Sequence, residues 1–248
     1  MSARPRVGLF VTCLVDLMRP RVGFAAAKLL EDSGCEVTVP RAQTCCGQPA
    51  WNSGADAAAK SLARQVVDVF EAFDYVVAPS ASCAGMIRVH YPQALADDTA
   101  YAARARTLAA KTYELVQFLV QVRGPTHIAA SCRARICYHH SCSALREMGI
   151  EREPRQLLGL VEGLEYAEPA DKQVCCGFGG LFSVKYPEIS ERMADDKLAD
   201  VQSTSAGILA SADLGCLLHL GGRAARLGLP LRIRHVAEIL AGTEEGQA

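Results

Sequence analysis

Eight of the eleven cysteines fall into two copies of one pattern: a single Cys, an adjacent pair followed by Gly, then another Cys. The copies are Cys13, Cys45-Cys46-Gly47, Cys83 and Cys142, Cys175-Cys176-Gly177, Cys216. Intervening segments are 31 and 36 residues long in the first copy and 32 and 39 in the second. The flanking sequence repeats as well. Arg6 to Cys13 aligns without a gap with Arg135 to Cys142, and Tyr75 to Cys83 matches the region of Ile208 to Cys216. A repeat of about 130 residues is too long for a solenoid unit and implies two fused copies of a domain.

Each half alternates strand and helix. In the first half, a buried strand at Val7 to Thr12 leads to a helix at Arg21 to Asp32, a short strand at Glu36 to Val39, and a loop carrying Cys45 and Cys46. Leu62, Val66, Val69, Phe70 and Phe73 then follow at helical spacing before a strand at Tyr75 to Ala78. The spacing of Leu108, Leu115, Leu119 and Val122 predicts one long helix from about Asp98 to Arg123, ending at Gly124-Pro125. In the second half, strands are expected near Ile136 and Ile208, and a helix from about Pro187 to Val201. The fold class is therefore α/β, with two pseudo-symmetric repeats, each a small, mostly parallel sheet flanked by helices. The expected boundaries are residues 1–124 and 125–242, with 243–248 a flexible tail. Ligands of such folds sit outside the carboxyl ends of the strands, where Cys13, Cys83, Cys142 and Cys216 are expected.

A chain of 248 residues whose composition is half apolar, with a net charge of −1, gives no electrostatic case for nucleic acid or for an anionic membrane surface. Arg4 and Arg6 ahead of an apolar run superficially resemble a signal peptide. Asp16, Arg19, Pro20 and Arg21 follow at once, however, and the segment recurs internally as Arg135 to Cys142, so it is read as a strand. No run reaches the roughly 18 apolar residues of a membrane span, and the cytoplasm is the expected compartment.

In a reducing compartment, paired cysteines at regular spacing point to metal or redox chemistry rather than to disulfides. Neighbouring Cα atoms lie about 3.8 Å apart, against the 5.5 to 6 Å or so that a disulfide prefers. The candidate metal ligands are Cys13, Cys45, Cys46, Cys83, Cys142, Cys175, Cys176 and Cys216. Gly47 and Gly177 are candidate cofactor-binding backbone, since glycine permits close approach or positive φ in the loops. Four thiolates suit a [4Fe-4S] cluster, so one or two iron-sulfur clusters per chain are expected. Zinc also accepts four thiolates, but it usually draws them from short C-x-x-C knuckles, which neither half contains.

The repeated C-C-G motifs, Tyr138-His-His-Ser-Cys142 and the stretch from Cys175 to Ser190 resemble the cysteine-rich-domain proteins of the heterodisulfide reductase B-subunit superfamily. The long second motif is most similar to the lactate utilization branch. That resemblance implies an iron-sulfur protein acting with two partner proteins, one carrying ferredoxin-like clusters, to oxidise L-lactate to pyruvate. Other members of the superfamily end each framework with C-x-x-C and cleave disulfides. Here Met86 and His219 stand at those positions. The missing fifth thiolates favour electron relay over disulfide reduction, and His219 becomes a candidate ligand in its own right. A thiol-disulfide oxidoreductase and a zinc-stabilised scaffold remain the alternative classes, and no residue is assigned a catalytic role.

Of His139 and His140, an alternating strand lets only one face the site. Cys35, Cys132 and Cys137 lie outside the repeat and read as small buried hydrophobes. Trp51 is a candidate shield for the first set, with plain packing an equal reading.

Overall fold

The computed structural model describes residues 4–243, and the chain divides into two compact units at Gly124/Pro125. Of the expected tail, residues 244–248 lie outside the described residues, while the Thr243 carbonyl accepts a hydrogen bond from Arg234 at 2.5 Å.

The first unit is built on β1 (Arg6–Leu9), β2 (Glu36–Thr38), β3 (Tyr75–Ala78) and β4 (Thr112–Glu114), in the order β2-β1-β3-β4 with every pairing parallel. The second unit repeats this order as β6-β5-β7-β8, from β5 (Ser131–Tyr138), β6 (Glu162–Ala167), β7 (Ile208–Ser211) and β8 (Arg232–His235), again all parallel. Parallel strands need crossover connections, and the helices that supply them cover the sheet faces. Strands β1, β3 and β7 accordingly carry short apolar runs, with Val7, Leu9, Val76, Val77, Ile208 and Leu209 buried, whereas β5 is buried only at its carboxyl end.

Helix Asp56–Phe70 turns Ala59, Ala63, Val66, Val67 and Phe70 inward at helical spacing. Full burial of a side chain such as Phe70 contributes about 1.5–3 kcal/mol. In the second unit, Ala194, Leu198 and Val201 from helix Pro187–Ser203 meet Leu220 and Ala224 from helix Leu214–Arg226 around Leu209. Pro187 stands in the first turn of its helix, where its missing N–H costs nothing.

One expectation is corrected. Asp98 to Arg123 is not a single helix, because the chain leaves helix Ala102–Ala110, adds β4 to the sheet, and turns helical again at Leu115–Phe118 and Leu119–Arg123. The leucine spacing runs through the break, so periodicity could not reveal it. Pairing of Val76, Val77 and Ala78 with Thr112, Tyr113 and Glu114 decides the matter. Glu114 marks the new start, its Oε2 accepting from the N–H groups of Val116 at 2.7 Å and Gln117 at 3.2 Å. Strands β6 and β8 were likewise not anticipated. The alternation of Leu164 and Tyr166 with exposed residues is the signal that β6 offered.

Candidate metal centres

In both units the cysteines gather beyond the carboxyl ends of the first three strands. Cys13 opens helix Cys13–Met18 after β1, with the Thr12 hydroxyl capping that helix through Val15 N–H at 3.3 Å. Cys83 lies in helix Ala81–Gly85 after β3, where its N–H donates to the capping Ser80 Oγ at 3.4 Å. At Cys142 the second unit uses the same device, Ser141 Oγ accepting from Ala144 N–H at 3.2 Å. The helix that carries Cys216 starts after Asp213 without a side-chain cap. Side-chain caps thus set where the helical turns at Cys13, Cys83 and Cys142 start, and with it the direction in which those thiols enter the site.

The cysteine pairs come from the loops after β2 and β6. Gly47 and Gly177 hold φ of 84° and 87°, a left-handed turn that folds each loop back so that its own N–H reaches the first sulfur of the pair. Gly47 N–H points to Cys45 Sγ at 3.5 Å, and Gly177 N–H to Cys175 Sγ at 3.4 Å. Phe178 N–H adds a contact to Cys176 Sγ at 3.5 Å.

All four sulfurs of the first set are linked by short contacts. Cys13 Sγ lies 4.0 Å from Cys45 Sγ, and Cys46 Sγ lies 3.4 Å from Cys83 Sγ. Hydrogen bonds from Cys13 and Cys46 pull the Cys45 thiol down to about 2. Those from Cys142 and Cys176 do the same to Cys175. Cys13, Cys46, Cys142 and Cys176 are pushed up, first by the sulfur contact to the neighbouring cysteine of each set and then by burial. Sulfurs this close compete for protons and cannot all ionise alone, whereas a multiply charged cation would let them. The donor chemistry therefore fits a thiophilic metal or cluster. Both sets grade from solvent to core: Cys13 is exposed, Cys45, Cys142 and Cys175 are half-buried, and Cys46, Cys83, Cys176 and Cys216 are buried.

The surroundings of the two sets differ. Around the first, the Tyr91 hydroxyl donates to the Cys46 carbonyl at 2.8 Å, Met86 is buried, and the Trp51 ring lies 5.6 Å from that of His90. Around the second, His219 Nε2 pairs with Ser190 Oγ at 3.2 Å while that hydroxyl donates to the Gly177 carbonyl at 2.8 Å, so His219 braces the loop that carries Cys175 and Cys176.

His139 is the histidine that meets the sulfurs, with a ring nitrogen and the Sγ atoms of Cys176 and Cys216 all within 4.8 Å of one another. His140 packs instead against the Tyr138 ring at 4.8 Å. Burial, reinforced by the Lys197 charge, pushes His139 down to about 3, and burial followed by the Lys172 charge pushes His140 down to about 4. Outside the repeat, Cys35 is buried, Cys137 is buried among Leu198 and Leu209, and Cys132 is half-buried.

The chain matches the model of the Cysteine-rich domain (CCG) family at residues 7–88 and 136–221, one match in each unit. It is 49% identical over 235 residues to "Lactate utilization protein A" of Geobacillus kaustophilus, an alignment covering 95% of this chain and 98% of that protein. It is 46% identical over 235 residues to the protein of the same name from Bacillus subtilis, with the same coverage. A crystal structure of a hypothetical protein from Helicobacter pylori matches 99% of this chain with a TM-score of 0.69 at 10% identity. The matched region is 50% of that longer chain, and the likeness concerns the fold alone. Among the described residues no helix is long and apolar enough to cross a membrane.

Proposed function

The chain belongs to the CCG cysteine-rich-domain family and, within it, to the lactate utilization protein A family, and from that membership we propose that it is an iron-sulfur electron-transfer subunit of a multi-protein system oxidising L-lactate to pyruvate. The observation that carries the reading is the convergence, in each unit, of four cysteine sulfurs from three strand ends, open to solvent on one side and sealed by core on the other. Cys13, Cys45, Cys46 and Cys83 would hold one cluster, and Cys142, Cys175, Cys176 and Cys216 another. A bound cluster supplies a one-electron acceptor whose potential responds to hydrogen bonds on sulfur and to solvent exposure.

The protein's own contribution is to tune and to expose that acceptor. The N–H groups of Gly47, Gly177 and Phe178 donate to cysteine sulfur and stabilise negative charge there. The half-buried thiols Cys45 and Cys175 and the exposed Cys13 leave each set an edge from which a partner's redox centre can be reached. Leu17 and Met18, exposed on the helix that Cys13 begins, suit the docking of such a partner, and two partner proteins, one with ferredoxin-like clusters, complete the proposed system.

Anaerobic purification followed by iron, zinc and acid-labile sulfide assays, with electron paramagnetic resonance after dithionite reduction, tests the reading. The expected result is comparable iron and sulfide with a reducible signal, and electrons from L-lactate reaching that signal only when the partner proteins are present. Stoichiometric zinc without sulfide would replace the reading with a metal-stabilised scaffold. Turnover of a disulfide substrate by the isolated chain would replace it with a reductase.

A further inference from the structure

The second set of cysteines has a nitrogen donor beside it, and among the described residues no such donor is grouped with the first set. Phe10 and His139 hold equivalent places, one residue beyond β1 and β5. Phe10 N–H donates to the Val77 carbonyl at 2.8 Å, and His139 N–H donates to the Ala210 carbonyl at 2.7 Å, each continuing the parallel ladder by one step. In the first unit the side chain at this place is wholly apolar and packs on Phe70, ring centroids 5.5 Å apart.

In the second unit the same place holds an imidazole that is 2% exposed, and neither of its ring nitrogens has a hydrogen-bond partner among the described residues. A buried polar atom left unmatched is costly, so such a group in a folded core calls for a partner. A ring nitrogen forms, with the sulfurs of Cys176 and Cys216, a group of three candidate ligand atoms spanning no more than 4.8 Å. The other histidine on offer, His219, already has Ser190 as a partner.

We propose that His139 is a nitrogen ligand of the second centre, a fifth donor beside Cys142, Cys175, Cys176 and Cys216, so that the two centres of one chain differ in kind. The first is all-sulfur, and the second is mixed. The proposal rests on the reading of the cysteine sets as iron-sulfur ligands. Because imidazole donates without adding negative charge, the second centre has a higher potential than the same centre would have with a thiolate at position 139.

Pulsed paramagnetic resonance of the dithionite-reduced full chain, prepared with 14N-histidine and with 15N-histidine, tests it. A directly bound histidine nitrogen is expected in the wild type, shifted by the isotope, lost in His139→Phe and His139→Cys, and kept in His219→Phe. Redox titration of His139→Cys should find one centre lowered in potential and the other unmoved. Iron and sulfide in the wild type without any strong histidine nitrogen coupling overturns the ligand and leaves the electron-transfer reading standing. A coupling that survives His139→Phe or disappears in His219→Phe overturns it too, by assigning the nitrogen elsewhere. Absence of iron and sulfide overturns both.

Discussion

The first and second units place the same four thiols on the same four-strand topology, yet the residues that surround those thiols have little in common. Where His139 meets the second set, the equivalent place in the first unit holds Phe10, packed on Phe70. Tyr91 ties down the Cys46 loop through the carbonyl of the pair, whereas Ser190 ties down the second loop through Gly177 and is itself joined to His219. A duplicated scaffold preserves what delivers the sulfurs, namely strand ends, helix caps and the left-handed glycine. What lies behind the sulfurs is free to diverge, and with it the chemistry of each site.

The largest separation of the two should come from the pairs themselves. Replacing Cys45 and Cys46 by Ser is expected to empty the first set alone, and replacing Cys175 and Cys176 the second alone, so that iron per chain falls by about half in either case when both sets are filled. Total loss of iron from either double variant would show that the sites are not independent.

Next in size is the contrast between Gly177→Ala and Gly47→Ala. Both glycines lie in the left-handed region, which costs a non-glycine residue about 1–2 kcal/mol. A Cβ at Gly177 would also come within 2.6 Å of the Ser190 carbonyl oxygen, whereas one at Gly47 meets Leu62 Cβ at 3.4 Å. Overpacking of that kind adds about 1–3 kcal/mol, so Gly177→Ala should lower the urea midpoint clearly more than Gly47→Ala does. Equal losses would refute the asymmetry.

Tyr91→Phe and Ser190→Ala remove the tether of each loop. Each should cost about 1 kcal/mol, and amide exchange should quicken near Cys46 in the one and near Gly177 in the other. Protection changes spread over both units would contradict the local role given to each tether.

The smallest effect belongs to the surface ion pairs that the units share in form: Arg104 with Asp68 and Glu71, and Arg223 with Asp195 and Glu191. The arginine hydrogen bonds hold Glu71 and Asp195 below the ordinary carboxylate range. Their contribution is therefore present above pH about 4 and lost as the pH falls through the depressed values. Melting temperatures at pH 7 and pH 3 should differ less in Arg104→Gln and Arg223→Gln than in the wild type, and added salt should narrow the gap further.

Much of this was legible in the residues, for identifiable reasons. The duplication of Cys13–Cys83 as Cys142–Cys216 announced two α/β units, and the apolar runs at Val7 and Tyr75 announced buried strands. The four-strand order was not legible. β4 is three residues long and sits inside a helical leucine pattern, and β8 carries Arg232 and Arg234 in an otherwise short run. At the site, the sulfurs could be named from spacing, and alternation required that only one of His139 and His140 face them, without saying which. His219 drew attention because it stands where a fifth cysteine stands in related sequences, but its ring is turned to Ser190.

Covalent order by itself determined which thiols travel together and that each set is delivered by three loops, because spacing and strand-helix alternation are local properties of the chain. Only the tertiary structure decided which imidazole reaches the sulfurs and how each glycine loop is braced. Those choices depend on the direction in which the chain leaves β5 and on what the neighbouring helices bring against it, and neither is encoded in any single stretch of sequence.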